Sequence, residues 1–490
     1  MNTRTATTAQ RRPILAILLI SAFVVILNET TMNVALATIM ADFGVDERAA
    51  QWLTTGFMLT MAVVIPVTGW LIDRLPTRRI FVIAMTLFSI GTLVCAVAPS
   101  FGVLLAGRVI QASGTAMMMP LLMTTVMQLV EPTHRGAIMG NISLVISVAP
   151  AVGPTLSGML LEFGSWRLVF GTVLPIALTM LVLGIARLRN TGIVHRTPLD
   201  LLSVVLTVVG FGPLVYGLSL IGDGAAPSWE APAALAAGVV GVAAFVRRQL
   251  VLQRSDTALL DLRTLAYSGY RTGLIMMALT TMALFGTIIM LPLVLQRSYG
   301  LEPISVGLMM LPGGIAMGVL GPLVGRLYDR VGPRALVTPA TFVVLAAFLF
   351  LGTLSATTPW WLIMTGHVVM SAGFAFIFTP LFTLALGALP KPLYSYGSAT
   401  LGTIQQVGGA AGTAIFVTIF SLGTDASLAA GATKGQALLT GSHGAFLGAA
   451  AVWSAAVITS LFLRRPAVST PGSAETGAPG PADTGHVTAA

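Results

Sequence analysis

Fourteen long apolar runs constrain this chain more than any other feature. Spanning the ~30 Å hydrocarbon core of a bilayer takes roughly 20 apolar residues in a helix. The runs lie near residues 14–36, 50–71, 78–98, 101–128, 137–161, 168–187, 200–220, 231–249, 270–296, 304–327, 334–355, 360–387, 396–421 and 442–463. They are continuous rather than alternating, which excludes a β-barrel. Only 9% of the residues are charged, against about 25% in soluble domains. We therefore predict an all-α integral membrane protein.

The basic residues indicate how the chain is oriented. If the N-terminus is cytoplasmic, 21 of the 26 Lys and Arg residues fall in cytoplasmic segments. Arg48, Arg167, Arg297 and Lys434 fall outside, and Arg108 lies within a run. This asymmetry predicts that both termini are cytoplasmic, and a bacterial inner membrane is the expected location. The positive charge is explained by topology, so nucleic acid is not an expected partner.

Internal repeats divide the chain into two similar halves. The matching pairs are GWLIDRLPTRR (69–79) with GRLYDRVGPR (325–334), GRVIQASGTA (107–116) with GHVVMSAGFA (366–375), and VGPTLSG (152–158) with VGGAAGTA (407–414). The first two pairs are offset by 256 and 259 residues. Two six-span halves with two inserted spans between them are typical of a secondary transporter whose binding site lies between the halves.

The repeats also predict the domain boundaries. We expect a cytoplasmic N-terminal tail, a six-helix half, two inserted helices, a second six-helix half and a disordered cytoplasmic tail, at 1–13, 14–187, 200–249, 270–463 and 464–490. The last segment is rich in Pro, Gly and Ala, which is typical of disorder. The N-terminal run resembles a signal peptide, but its length favours an uncleaved first span.

The repeated loop motif predicts a conformational clasp. Asp73 and Asp329 stand where a span ends in a short loop, and each can pair with arginine or cap a neighbouring helix. The alternative is that these loops only anchor the chain by their positive charge. The expected clasp residues are Gly69, Asp73, Arg74, Arg78, Arg79, Asp329, Arg330 and Arg334. In the fifth span, Gly153, Pro154 and Gly158 predict close helix packing and bending.

These motifs together resemble the major facilitator superfamily, and within it the fourteen-span drug:proton antiporters of the EmrB/QacA type, including lincomycin-resistance-like members. The resemblance covers about residues 13–463. It implies a major facilitator fold and proton-coupled export of lipophilic or cationic small molecules by alternating access. It also identifies Arg108 with the fourth-span arginine and AVGPTLSG with the fifth-span antiporter motif. The first span departs from the family pattern, since Asn28 occupies the usual aspartate position and Glu29 follows it.

Depth in the membrane provides an independent argument for Glu29. At 1.5 Å per residue, Glu29 and Arg108 both lie roughly 10 Å below the outer boundary of a ~30 Å core. An ionisable residue in a membrane span faces the protein interior and is functional by default. We therefore expect Glu29, with Arg108, to couple transport to protons. The alternative is a static Glu29–Arg108 ion pair that holds spans 1 and 4 together.

Other polar residues within spans are candidates for the substrate cavity. Asn28, Asn33 and Gln111 could bond to substrate or to Glu29. His367, at the repeat position of Arg108, is a candidate second proton site or substrate partner; the alternative is a neutral histidine bonded to a neighbouring helix. Met117–Met119 are compatible with a pliable binding surface or with plain packing.

Several function classes are disfavoured by what the sequence lacks. No phosphate-binding loop is present, and no cofactor, metal site or catalytic residue pair is expected, so an enzyme is disfavoured. The expected partners are lipophilic or cationic drugs, protons and membrane lipid, and the chain is expected to function as a monomer. A proton-coupled metabolite importer of the same fold, or a non-transporting membrane receptor, remain the alternatives.

Overall fold

The structure is a computed structural model that describes residues 8–190, 198–221 and 227–463. The side chains at positions 8–11, 33, 47, 151, 154 and 303 lie outside this description. The predicted disordered tail at 464–490 and the first seven residues of the predicted N-terminal tail also lie outside it. Within the described ranges, all regular secondary structure is helical.

Among the described residues, fourteen α-helices are long and apolar enough to cross a membrane. They are α1 (Thr8–Phe43), α2 (Glu47–Arg74), α3 (Thr77–Ala96), α4 (Phe101–Leu129), α5 (Arg135–Glu162), α6 (Arg167–Arg187), α7 (Leu201–Ser219), α8 (Glu230–Leu252), α9 (Ser268–Arg297), α10 (Pro303–Val331), α11 (Pro333–Leu351), α12 (Trp360–Gly387), α13 (Tyr394–Ala429) and α14 (Lys434–Ser460). The predicted all-α membrane fold with fourteen spans is confirmed.

Two helices extend well beyond their apolar runs. The run that predicted α1 ends at residue 36, but the helix continues to Phe43 and stops before Gly44, whose φ is +63°. Similarly, α13 continues to Ala429, close to Gly431 with φ of +86°. Hydropathy marks only the part of a helix that lies in lipid, whereas a glycine in the left-handed region ends the helix itself.

The helices form two six-helix halves, α1–α6 and α9–α14, with repeated contacts. In the first half α1 packs on α5, α2 on α4, α3 on α4 and α3 on α6. The second half repeats each contact eight helices later, as α9–α13, α10–α12, α11–α12 and α11–α14. The halves meet along two equivalent seams, α5–α10 and α2–α13. This arrangement confirms the two-half fold that the sequence repeats predicted.

The inserted helices α7 and α8 form a hairpin beside the second seam. Their backbones touch at Gly210 and Gly241, where a side chain would overlap the opposing chain. Asp200 begins α7 by accepting a hydrogen bond from the Ser203 N–H, and it also pairs with Arg248 of α8 at 2.9 Å. The Arg248 hydrogen bonds lower the pKa of Asp200 to about 2. Since α7 packs on both α2 and α13, the hairpin contacts both halves.

Exposed aromatic residues mark one boundary of the membrane-crossing region. Trp52, Trp229, Trp360 and Trp361 all lie near the first turns of even-numbered helices and are exposed. Because successive spans alternate in direction, these positions share one face of the bundle. Tryptophan is enriched where hydrocarbon meets water, so this face is one edge of the lipid-facing belt.

Candidate functional site

The α2–α3 and α10–α11 loops share one face of the bundle, here called the clasp face. On this face Asp329 of α10 accepts hydrogen bonds from the backbone N–H groups of Gly136 (2.9 Å) and Ala137 (3.0 Å). Both donors belong to the first turn of α5, which begins at Arg135. First-turn N–H groups have no partner within their own helix, and the helix dipole favours a negative charge there. Asp329 therefore caps a helix of the other half.

The equivalent aspartate meets the equivalent helix. Asp73 of α2 accepts a hydrogen bond of 3.4 Å from the hydroxyl of Tyr396, in the first turn of α13. Four residues before Asp73, Gly69 packs against Tyr396 and Ala399. The Arg74 guanidinium lies over the Trp70 ring, 5.1 Å from its centroid. Both repeated motifs thus join the two halves.

The remaining predicted clasp arginines are in a different environment. Arg78, Arg79, Arg330 and Arg334 are all exposed at this face. Exposed ion pairs contribute little to stability. The aspartates and Gly69 are therefore the clasp residues that contact the opposite half, and the four exposed arginines fit the anchoring role that was the alternative.

Glycines bring the α5–α10 backbones into contact below the clasp. A Cβ atom at Gly136 would overlap the Gly325 carbonyl oxygen, and one at Gly140 would overlap the Gly321 carbonyl oxygen. The reciprocal contacts, from Gly321 and Gly325 back onto α5, are equally close. No side chain separates the helices here, so the seam requires glycine at these positions.

Hydrogen bonds between hydroxyls also cross from one half to the other. The Thr379 hydroxyl of α12 donates to Ser143 of α5 at 2.7 Å. The Thr124 hydroxyl of α4 donates to Ser398 of α13 at 3.1 Å. All four side chains are buried. Together with the capped helices and the glycine contacts, these bonds hold the two halves together on the clasp-face side.

Only part of the fifth-span motif packs as predicted. A Cβ atom at Gly153 would overlap the hydroxyl of Thr30 on α1, so the two helices approach closely beside Glu29. At Gly158 a Cβ atom would meet no other atom within 4 Å. The close contact expected at Gly158 is absent in this arrangement because α5 has no near neighbour at that point. The side chain of Pro154 lies outside the described residues.

Arg108 is held in a buried polar network. Its exposed fraction is 1%. Its guanidinium donates to the Gln111 side-chain oxygen at 2.7 Å and to the Leu53 carbonyl at 3.4 Å. The group also lies over the Phe57 ring, 4.1 Å from the centroid. Gln111 in turn donates to the Thr92 hydroxyl at 2.7 Å. These contacts fix the charge inside the first half.

Glu29 lines a cavity of about 90 Å³ between the two halves. The first half contributes α1, α2 and α4 to its walls, and the second half contributes α12 and α13. The polar lining side chains are Glu29, Thr115, Ser398, Gln405 and Gln406. This volume is below the range of sites for drug-sized ligands, about 300–1,000 Å³, so binding of such a ligand requires the surrounding helices to move apart. Glu29 supplies the only carboxylate among the lining residues.

The Glu29 and Arg108 charges interact without direct contact. Their side chains are close enough for electrostatic interaction, as their similar predicted depth requires. Within the described residues, however, no N–O distance between them is 4.0 Å or less. The direct ion pair of the static alternative is therefore not formed here. Arg108 instead provides a fixed positive charge near a carboxylate that faces the cavity.

Three of the polar residues predicted for the substrate cavity lie elsewhere in this arrangement. Asn28 is 1% exposed, and Gln111 is 0% exposed within the Arg108 network. His367 packs against Gly313 of α10. None of these three is among the residues that line the cavity. The side chain of Asn33 lies outside the described residues.

The residues that sequence reasoning missed lie on α13. Gln405 and Gln406 face the cavity from the second half. The signal was present, since GTIQQVGG places two adjacent glutamines in the middle of an apolar span. Met118 and Met119 also line the cavity, together with Met61 and Met123. Among the described residues, no group of three His, Cys, Asp or Glu side chains could hold a metal ion.

Comparison with known proteins identifies the family. The sequence profile of the Major Facilitator Superfamily matches residues 18–413. The chain belongs to this superfamily. It is 38% identical over 457 residues to the MFS-type transporter YcnB of Bacillus subtilis, covering 93% of this chain and 96% of that protein. It is 37% identical over 459 residues to the lincomycin resistance protein LmrB of Listeria monocytogenes, covering 92% and 97%.

Solved structures support the superfamily fold. The human organic anion transporter MFSD10 aligns with a TM-score of 0.68 and 16% identity, covering 92% of this chain and 99% of that one. At this identity the likeness shows the fold alone. Superfamily membership and fourteen apolar helices make this chain a multi-pass membrane protein from a family of transporters.

Proposed function

We propose that this major facilitator protein is a proton-coupled exporter of lipophilic small molecules, including cationic drugs. The observation that carries the proposal is the position of Glu29, a carboxylate on the wall of a cavity between the halves. No hydrogen bond within the described residues ties this carboxylate to another side chain. It is therefore available to bind either a proton or a positively charged substrate.

The proposed cycle follows from competition at Glu29. A proton that binds the carboxylate from outside removes its charge and weakens the attraction for a cationic substrate. A substrate that arrives from the cytoplasm displaces the proton. The seams at Asp73 and Asp329 open and close around the cavity, so only one side is accessible at a time. Arg108 stays in its buried network and keeps a positive charge near the site.

Membrane orientation assigns the closed side to the cytoplasm. The positive-inside asymmetry supports a cytoplasmic location for the clasp face, which carries Arg78, Arg79, Arg330 and Arg334. The arrangement described above is then the inward-closed one. Both termini lie in the cytoplasm, and the membrane is the inner membrane of a bacterium. One chain supplies both walls of the cavity, which supports function as a monomer.

Two features favour export over import. The relative LmrB is named for lincomycin resistance, and it matches this chain over almost its whole length. The fifth-span AVGPTLSG segment resembles the antiporter motif, and its Gly153 packs against Thr30, directly beside Glu29. The fold by itself does not decide the direction of transport.

The test is drug accumulation in inverted vesicles from a pump-deleted host that expresses the chain. An imposed gradient with an acidic interior should drive drug into the vesicles and draw protons out. Glu29→Gln keeps the size of the side chain but cannot titrate, so it should abolish gradient-driven accumulation while protein levels stay normal. Asp425→Asn, which removes an exposed carboxylate of α13, is the matched control and should behave as wild type.

Each alternative class makes a different prediction in this assay. A symporter would move substrate and protons in the same direction. A non-transporting receptor would show no gradient-dependent accumulation. Wild-type rates in Glu29→Gln would leave export possible but would refute the assignment of coupling to Glu29.

A further inference from the structure

The cavity has a polar wall opposite Glu29 that belongs to the other half of the protein. Gln405 and Gln406 are adjacent on α13, and both line the cavity that Glu29 lines from α1. Their amides differ in one respect. The side-chain nitrogen of Gln406 is buried and has no hydrogen-bond partner among the described residues, whereas the Gln405 amide has no such buried unpaired atom.

An unpaired buried donor favours a ligand that can accept from it. Burial removes the amide nitrogen from water, and without a partner the lost hydration is not recovered. Rotation about the last side-chain bond can turn the Gln406 N–H₂ group towards the cavity, since that torsion is soft. A ligand with an oxygen acceptor there gains a hydrogen bond that the empty protein does not make.

The other cavity walls discriminate little between substrates of different shape. Met61, Met118, Met119 and Met123 supply flexible apolar side chains, which adapt to different shapes. Recognition then depends on the few polar groups that have fixed positions. The first half supplies a carboxylate at Glu29 and the Thr115 hydroxyl, and the second half supplies neutral groups only, which include the unpaired amide donor of Gln406.

We infer that Gln406 is a specificity-determining residue that donates a hydrogen bond to the substrate, and that the preferred substrates are lipophilic amines carrying a carbonyl or hydroxyl oxygen in the same molecule. The amine binds at Glu29 and the oxygen binds at Gln406, so one substrate contacts both halves. This inference rests on the proposed export function and adds the chemistry of its substrates.

The test compares two probes in the vesicle assay. Lincomycin carries a basic amine, an amide carbonyl and hydroxyls, whereas tetraphenylphosphonium is a lipophilic cation without an acceptor. Gln406→Met keeps the size and apolar character of the chain but removes the donor. It should lower lincomycin transport at least tenfold and change tetraphenylphosphonium transport less than twofold. Gln296→Met, which makes the same change at an exposed position of α9 away from the cavity, is the matched control and should change both probes less than twofold.

The outcomes separate this inference from the proposed function. If the wild type accumulates neither probe under a proton gradient, the export proposal fails. If it transports tetraphenylphosphonium but not lincomycin, or if Gln406→Met leaves the ratio of the two rates unchanged, the substrate inference alone is overturned. Membrane protein levels, and the rise in melting temperature that lincomycin causes in purified wild type and Gln406→Met, show whether a loss reflects binding rather than folding.

Discussion

Arg108 and His367 occupy the same position in the two repeats but have opposite surroundings. Arg108 of α4 lies in a hydrogen-bonded network and interacts electrostatically with Glu29. His367 of α12 is 8% exposed, its Nδ1 atom has no partner among the described residues, and its ring packs against Gly313. The cavity beside the first half has a carboxylate; the part lined by the second half has neutral side chains only.

This difference shows that the internal repeat preserves the packing of the helices but not the ionisable residues inside the spans. Every main helix contact of the first half recurs in the second, and both clasp aspartates meet the first turn of a helix from the opposite half. The charged residues inside the spans, Glu29 and Arg108, are not duplicated. We therefore assign proton coupling to the first half and neutral recognition to the second, with motion at the seams shared between them.

Arg108→Gln should have the largest effect on transport among the variants that test this difference between the halves. The substitution removes the buried positive charge near Glu29 and the contacts with Leu53 and Phe57, so gradient-driven transport should fall at least tenfold. Arg108→Lys keeps the charge but cannot reproduce the planar fork of donors, so it should restore only part of the rate. Arg297→Gln, at an exposed position of α9, is the control. Wild-type transport in Arg108→Gln would refute the asymmetry.

Gly140→Ala should weaken the packing of α5 against α10 without changing any charge. Its methyl group would overlap the Gly321 carbonyl, so the clasp-face-closed state should lose population by about tenfold, equivalent to about 1.4 kcal/mol. Gly158→Ala is the matched control within the same helix, because its methyl group meets no atom within 4 Å in this state. Accessibility of a cysteine introduced as Ser143→Cys, at a position buried between the halves, to a water-soluble thiol reagent would report the populations. Equal accessibility in both variants would contradict the packing argument.

Asp329→Asn and Asp73→Asn should each shift the same equilibrium by a smaller amount. Loss of a charge at a helix N-terminus costs about 0.3–1 kcal/mol, which corresponds to a shift of roughly two- to fivefold. Spin labels at Thr133→Cys and Ala335→Cys, exposed positions on opposite halves, would measure the distances across the clasp face; the native Cys95 is buried. Distance distributions identical to wild type in both variants would leave these loops with a topological role only.

His367→Gln should have the smallest effect. Its ring contacts α10 and is not among the residues that line the cavity. Transport rates between pH 6 and 8 should therefore stay within about twofold of wild type, as expected for a substitution that affects only local packing. The measurement is the pH profile of transport for at least two substrates. A displaced pH profile or an altered substrate range would instead make His367 a functional residue and weaken the contrast with Arg108.

The sequence predicted the number and arrangement of the helices because hydropathy and internal repeats indicate them directly. Span count, the two halves and the inserted pair all follow from apolar runs and from motifs that recur at nearly one offset. The clasp contacts were also predictable in kind, since an aspartate at the end of a span favours a helix N-terminus. The sequence could not predict which helix each aspartate would cap, because that depends on how the two halves pack against each other.

The cavity lining was harder to predict because it depends on the rotation of each helix. Consecutive residues of a helix differ by about 100° in direction, so Glu29 lines the cavity while Asn28 is packed in the interior. The same geometry places Gln111 in the Arg108 network and Gln405 and Gln406 on the cavity wall. Residue type and depth identified Glu29 and Arg108 as candidates, but facing directions required the assembled helices.

Proton release on substrate binding tests the central assignment most directly. Purified protein in weakly buffered detergent solution is mixed with a probe that the vesicle assay shows to be transported, and the pH change is recorded. Competition at Glu29 predicts proton release from the wild type and from Asp425→Asn, and none from Glu29→Gln. Equal proton release from the wild type and Glu29→Gln would contradict the account.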